Sequence, residues 1–181
     1  MLKSGINLHI SSDDLKLNGR YFRAGSEYYQ KHIDDYARRL NNTGKNVCDD
    51  NTRYLVEYSI MVACGTLEYV YKHMIYDCLA SGTNEEATTF LAKMVVDNSS
   101  NPSTGNIEKV LESCSDCWKN NFISQIKENN IKSDVNSLVQ LRNNFSHGLR
   151  NKSSASIETV CKYFSSGEKM LAILDGILER S

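Results

Sequence analysis

Arg142 and His147, five positions apart, are the pair in this chain whose types and spacing can do chemistry. Breaking a phosphodiester at neutral pH without a metal requires a group that takes the proton from a ribose 2′-hydroxyl or returns one to the leaving oxygen, and histidine titrates in the right range. It also requires a fixed positive fork to hold the charge that builds on the phosphoryl oxygens in the transition state, which arginine supplies with paired donors. On an ideal helix this spacing leaves the two side chains roughly 140° apart, so they do not share one narrow face. Asn143, four residues before His147, is placed to hydrogen-bond the ring, and Gly148 lets the helix fray and swing that ring toward Arg142. In a two-fold dimer, a second copy of the pair could complete the site.

The surroundings of the pair favour an anion. Between Val135 and Ile157 there is no Asp or Glu, while Arg142, Arg150 and Lys152 are present, in a chain whose formal net charge is only −1. Positive potential is therefore expected around His147, although the chain as a whole has no field to attract nucleic acid or an anionic membrane. Ser146, Arg150 and Lys152 are the candidate phosphate-backbone contacts. The competing reading makes Arg142 a surface ion-pair residue and His147 a helix C-terminal histidine favoured by the macrodipole.

Other chemistry-bearing residues are weaker candidates. Glu68 stands amid apolar neighbours and is either a buried acid paired with Arg142 or Lys72, or part of a solvent stripe. His9, His32 and His73 show no ligand spacing with one another. Cys114 and Cys117 have zinc-ribbon spacing but lack a second Cys or His pair at the matching distance, so no metal is expected there. Tyr28, Tyr29, Tyr54, Tyr58, Tyr69, Tyr71 and Tyr76 could stack bases, though their helical spacing assigns them to the core and to a dimer interface.

Helices must position these groups. One proline and ten glycines punctuate 181 residues, so an all-α class follows, and the length suits one domain with a sizeable core. Residues 1–23 read as a mixed N-terminal arm. From Ser26 to Asn41, Tyr29, Ile33, Tyr36, Ala37 and Leu40 recur at helical spacing. Thr52 to Ala80 is apolar almost all round and is expected to be the central buried helix. Ser81 to Asn84 stops it and caps a shorter helix whose apolar face is Ala87, Phe90, Leu91 and Met94. After a loop from Asn98 to Gly105, an apolar stripe from Ile107 to Ile126 predicts a helix that bends or breaks near Asn120 and Asn121. Ser133 and Asp134 are expected to cap the helix that carries Arg142 in its last turns, with Gly148 beyond its end. A long closing helix runs from about Ser156 to Glu179.

No apolar run approaches the roughly 18 residues of a membrane span, and the N-terminus lacks the pattern of a secretory signal. With six cysteines mostly inside apolar helical patterns, the expectation is a soluble cytoplasmic protein with reduced thiols and no membrane partner. The Asn-x-Ser/Thr triplets at Asn41, Asn98, Asn144 and Asn151 are then chance matches.

The run from Ser137 to Gly148, with an apolar stretch before Arg142-Asn143, a four-residue spacer, His147 and then Gly148, resembles the motif helix of the HEPN superfamily, most closely its RiboL-PSP branch. The resemblance implies an up-down bundle of four to six helices that pairs as a homodimer with two motifs facing across a cleft. It also implies cleavage of RNA, without metal or other cofactor, to a 2′,3′-cyclic phosphate. Arg142 and His147 carry over directly, Asn143 fills the polar position that often follows the arginine, and Glu68 is the further candidate. Family members commonly act as toxins or in antiviral defence, with a possible antitoxin or defence partner. Some have lost cleavage, which leaves a non-catalytic nucleotide-binding or adaptor module as the alternative.

Overall fold

The computed structural model describes residues 50–128, 130–146 and 155–179. The N-terminal arm and the helix expected from Ser26 to Asn41 lie outside the described residues.

The proline-free stretch Asp50–Ala80 forms the longest helix among the described residues, α1. Its buried residues Ile60, Ala63, Cys64, Leu67, Val70, Tyr71, Met74 and Ile75 recur at intervals of one, three and four, which marks one face of the helix as core. The opposite face is largely open, with Lys72 as its buried member. Tyr54, Tyr58 and Tyr69 are at least half exposed there, so among the described residues only Tyr71, of the tyrosines assigned to the core, is fully enclosed, its hydroxyl 2.6 Å from Ser100 Oγ. A tyrosine satisfies an apolar periodicity while its hydroxyl keeps it compatible with water.

Gly82, in the left-handed region at φ +78°, turns the chain after α1. Asn84 caps α2 (Glu85–Leu91) by accepting from the Ala87 N–H at 2.9 Å. This helix runs into a π-helical turn, Ala92–Val96, that the sequence pattern did not foretell. Phe90 and Met94, expected on an apolar inner face, are exposed, and Val95 is what packs against the core.

Ser103 caps α3 (Thr104–Cys114), and Asp116–Glu128 forms α4. The break falls at Ser115, not at Asn120 and Asn121, which lie within α4. Ser115 is extended, at φ −163° and ψ 123°, and its hydroxyl accepts from the Trp118 N–H at 3.4 Å, so it restarts the helix as a cap. Asn130, at φ +54°, precedes α5 (Ile131–Ser146), which begins two residues before the expected cap. Asp134 instead ties α5 to the last helix, accepting from Ser166 Oγ at 2.8 Å and facing Lys162 Nζ at 3.5 Å. Ser156 caps that helix, α6 (Ile157–Leu178), as its sequence foretells.

Among the described residues these six helices and the π turn are the regular structure, with no strand, and the class is an all-α bundle. The long helix α6 packs on α1, α4 and α5, and α5 in turn packs on α1. Gly167 of α6 allows the closest approach to α1: a Cβ there would meet Leu67 Cδ1 at 2.5 Å. Among the described residues no helix is long and apolar enough to cross a membrane.

Candidate active site at the end of α5

Ile131, Val135 and Leu138 form the buried stripe of α5, at intervals of four and three. The next inward position, one turn on, is Arg142. A charged residue thus stands where the apolar pattern would continue, and it is half-buried. Its surroundings are those of α1. Cys64 Sγ donates to the Leu138 carbonyl at 3.7 Å, and Ser146 Oγ comes within 3.9 Å of Met61 Sδ. As α5 advances from Leu138 to Ser146, its neighbours on α1 step back from Cys64 to Met61, so the two helices run in opposite senses here.

Electrostatics confirm the proximity. Burial pushes the Cys64 thiol up to about 12; the Arg142 guanidinium works against that shift, and the Glu68 carboxylate adds to it. Arg142 and Glu68 therefore both lie within electrostatic reach of one buried sulfur.

They do not pair with each other. Lys72 Nζ lies 2.7 Å from Glu68 Oε1, with the lysine side chain 7% exposed and the glutamate 24%. Of the two buried-acid partners open in the sequence, Lys72 is the one found. Lys72 also donates to the carbonyls of Val96 and Asn98, so one ammonium satisfies the acid and holds the end of the π turn. Among the described residues no carboxylate pairs with Arg142.

Asn143 was expected to orient an imidazole; the partner it shows is the arginine, with Arg142 Nη1 donating to Asn143 Oδ1 at 3.5 Å. Ser146 Oγ donates back to the Arg142 carbonyl at 3.0 Å and closes the last turn of α5. His147, Gly148, Arg150 and Lys152 lie outside the described residues. In the chain, His147 directly follows the last residue of α5.

Sequence reasoning did not single out Cys64, within electrostatic reach of Arg142, or Met61, which meets Ser146. The signal was present as a row: Cys64, Glu68 and Lys72 follow one another at intervals of four along α1. His73 makes the local contacts of a helix-surface residue, its Nδ1 2.8 Å from the Tyr69 carbonyl and its ring stacked on Tyr69 at 3.9 Å. Cys114 and Cys117 are exposed, and among the described residues no three His, Cys, Asp or Glu side chains gather as metal ligands.

The family model described as RiboL-PSP-HEPN matches residues 26–180, most of the chain. The chain belongs to this HEPN family. No curated protein and no solved structure matches it. HEPN domains are commonly ribonucleases and often bind RNA and dimerise, so membership points to a ribonuclease or other RNA-related function. The matched span takes in the helix expected from Ser26 to Asn41 as well as α1 to α6. Arg142 occupies the inward face of α5 within that span.

Proposed function

We propose that this HEPN domain is a metal-independent endoribonuclease. His147 takes the proton of the ribose 2′-hydroxyl as that oxygen attacks phosphorus, or delivers a proton to the departing 5′-oxygen. The products are a 2′,3′-cyclic phosphate and a free 5′-hydroxyl. Arg142 stabilises the charge on the phosphoryl oxygens with its paired donors. Asn143 holds the guanidinium through its Oδ1, and Ser146, Arg150 and Lys152 contact the RNA backbone. Glu68 has a supporting part: paired with Lys72, it shapes the field beside Arg142 without moving a proton.

The observation that carries this reading is Arg142 itself. Placing a guanidinium on the buried stripe of a helix forfeits the apolar contact that the position offers, and leaving it without a carboxylate among the described residues forfeits an ion pair as well. That placement suits a cation held ready for an anionic ligand. A two-fold dimer that brings two motifs to one cleft and a toxin or antiviral-defence setting complete the proposal, with an antitoxin or defence protein as the restraining partner.

The test is RNA cleavage in EDTA by the wild type, Arg142→Ala and His147→Ala. Each substitution is expected to reduce the rate by about 10²-fold or more. Equal cleavage by all three assigns the activity to another site or to a contaminant. Saturable nucleotide binding with no cleavage by the wild type replaces the reading with a binding or adaptor module.

A further inference from the structure

A groove of about 400 Å³ runs between α5 and α6, on the side of α5 that the candidate site does not use. Ser137, Gln140, Leu141 and Asn144 line it from α5, and Thr159 and Tyr163 line it from α6. The polar ones, Ser137, Gln140 and Asn144, follow at intervals of three and four. Around the helix they are roughly 140–200° from Arg142, whereas the buried stripe shares Arg142's side.

The chemistry of the lining selects the ligand. The volume is that of a small-molecule site. None of the lining residues carries a charge at neutral pH, so the groove is built for a neutral group and not for a phosphate. Gln140 and Asn144 each present two N–H donors and a carbonyl acceptor, and neither amide has a hydrogen-bond partner among the described residues. The Thr159 hydroxyl is 3.2 Å from Ser156 Oγ and retains bonding capacity toward the groove. Tyr163 supplies an aromatic wall. A flat neutral ring with donors and acceptors on its edge matches this set, and an unpaired nucleobase is such a ring.

Position links the groove to the proposed cleavage site. Asn144, which lines the groove, stands two residues after Arg142 on α5. Ala155, on the far side of residues 147–154, also lines the groove. A helix is only about 10–12 Å across with its side chains, so a strand lying over the end of α5 presents a phosphate to Arg142 and a neighbouring base to the groove.

We propose that this groove is a base-reading subsite for single-stranded RNA, in which Gln140 and Asn144 hydrogen-bond the edge of an unpaired base next to the scissile phosphate. The proposal rests on the ribonuclease reading and adds to it the source of sequence preference.

The full-length His147→Ala protein binds a fluorescent RNA oligonucleotide in anisotropy titrations, with one central nucleotide varied as A, C, G or U. The expected result is a Kd ratio of about tenfold between best and worst base, reduced about fivefold by Gln140→Ala or by Asn144→Ala. Asn144→Asp, which keeps the shape but removes the donors, is expected to change which base is preferred. Gln140 is exposed and Asn144 half-exposed, and a ratio is insensitive to a general loss of affinity. No RNA binding, no base preference, or a preference that survives both alanine substitutions overturns the subsite. Cleavage by the protein with His147 intact separates the two readings. Cleavage whose base preference ignores Gln140 and Asn144 removes the subsite and leaves the ribonuclease. Base-selective binding through the amides without cleavage does the reverse.

Discussion

Lys72 Nζ and Glu68 Oε1 lie 2.7 Å apart, one turn from each other on α1, with the lysine almost wholly out of water. Glu68→Gln leaves that ammonium with the amide oxygen and the Val96 and Asn98 carbonyls as acceptors and no counter-charge among the described residues. Urea unfolding is expected to show a loss of about 1–3 kcal/mol. Glu68→Gln combined with Lys72→Met is expected to lose less than the sum of the single changes, because the second substitution removes the charge that the first strands. In the cleavage assay Glu68→Gln is expected to lower the rate by no more than about tenfold. A loss as deep as that of His147→Ala would place the acid among the reacting groups.

Arg142→Lys keeps a positive charge on the inward face of α5 and discards the planar fork. If the guanidinium grips two phosphoryl oxygens in the transition state, kcat is expected to fall by about 10²-fold with a much smaller change in KM. Asn143→Ala, which frees Arg142 Nη1 from its neighbour at 3.5 Å, is expected to lower kcat by about tenfold and leave thermal unfolding unaltered. A change confined to KM in both variants would make Arg142 a ground-state anchor for RNA.

The legible parts of the fold are those where local chemistry decides. Asn84 and Ser156 cap helices where their side chains reach a free N–H, and the interval of three and four on α6 is the interval of its buried residues. The break at Ser115 was hidden because Leu111, Trp118 and Phe122 stay at near-helical spacing across it, while the asparagines that looked like a stop are tolerated on an exposed helix surface. Tyrosine periodicity misled on α1 because it does not tell which side of the helix meets a neighbour. At the site, the placement of Arg142 was legible as the next member of the series Ile131, Val135 and Leu138. The α1 residues that meet its neighbours Leu138 and Ser146 were not, since Cys64 and Met61 come from a helix some eighty residues earlier.

Cys64 connects the site to alkaline stability. Its thiol is shifted from an ordinary 9.0 to about 12, with burial as the main cause. Between those values the unfolded chain has released the proton and the native chain retains it. The unfolded state then binds fewer protons, and stability falls as pH rises, by about 1.4 kcal/mol per pH unit for this one group. Below about pH 8 both states hold the proton and the group contributes no slope. Tyr71, also raised by burial, acts in the same direction at higher pH. Cys64→Ala is expected to be less stable than the wild type at pH 7.5, with a deficit that shrinks in urea titrations at pH 9.5 and 10.5. A deficit that stays constant across that range would remove the thiol as the cause.

Gly167 and Leu67 test how closely α6 must approach the helix that floors the site. A Cβ at Gly167 would come 2.5 Å from Leu67 Cδ1 and 2.8 Å from Cδ2, and Leu67 is fully buried, so its branch has no open space to swing into. Overpacking of this kind costs about 1–3 kcal/mol, against a gain of about 1 kcal/mol from replacing glycine by alanine inside a helix. Gly167→Ala alone is therefore expected to destabilise. Leu67→Ala alone is expected to cost about 2–5 kcal/mol through the cavity it leaves. In that background the clash is gone and the helical preference of alanine remains, so Gly167→Ala should turn stabilising. The two substitutions form a double-mutant cycle whose coupling is read directly from urea midpoints. The same sign in both backgrounds would show that the helices shift apart to admit the methyl group, and that the α1–α6 spacing does not depend on this glycine.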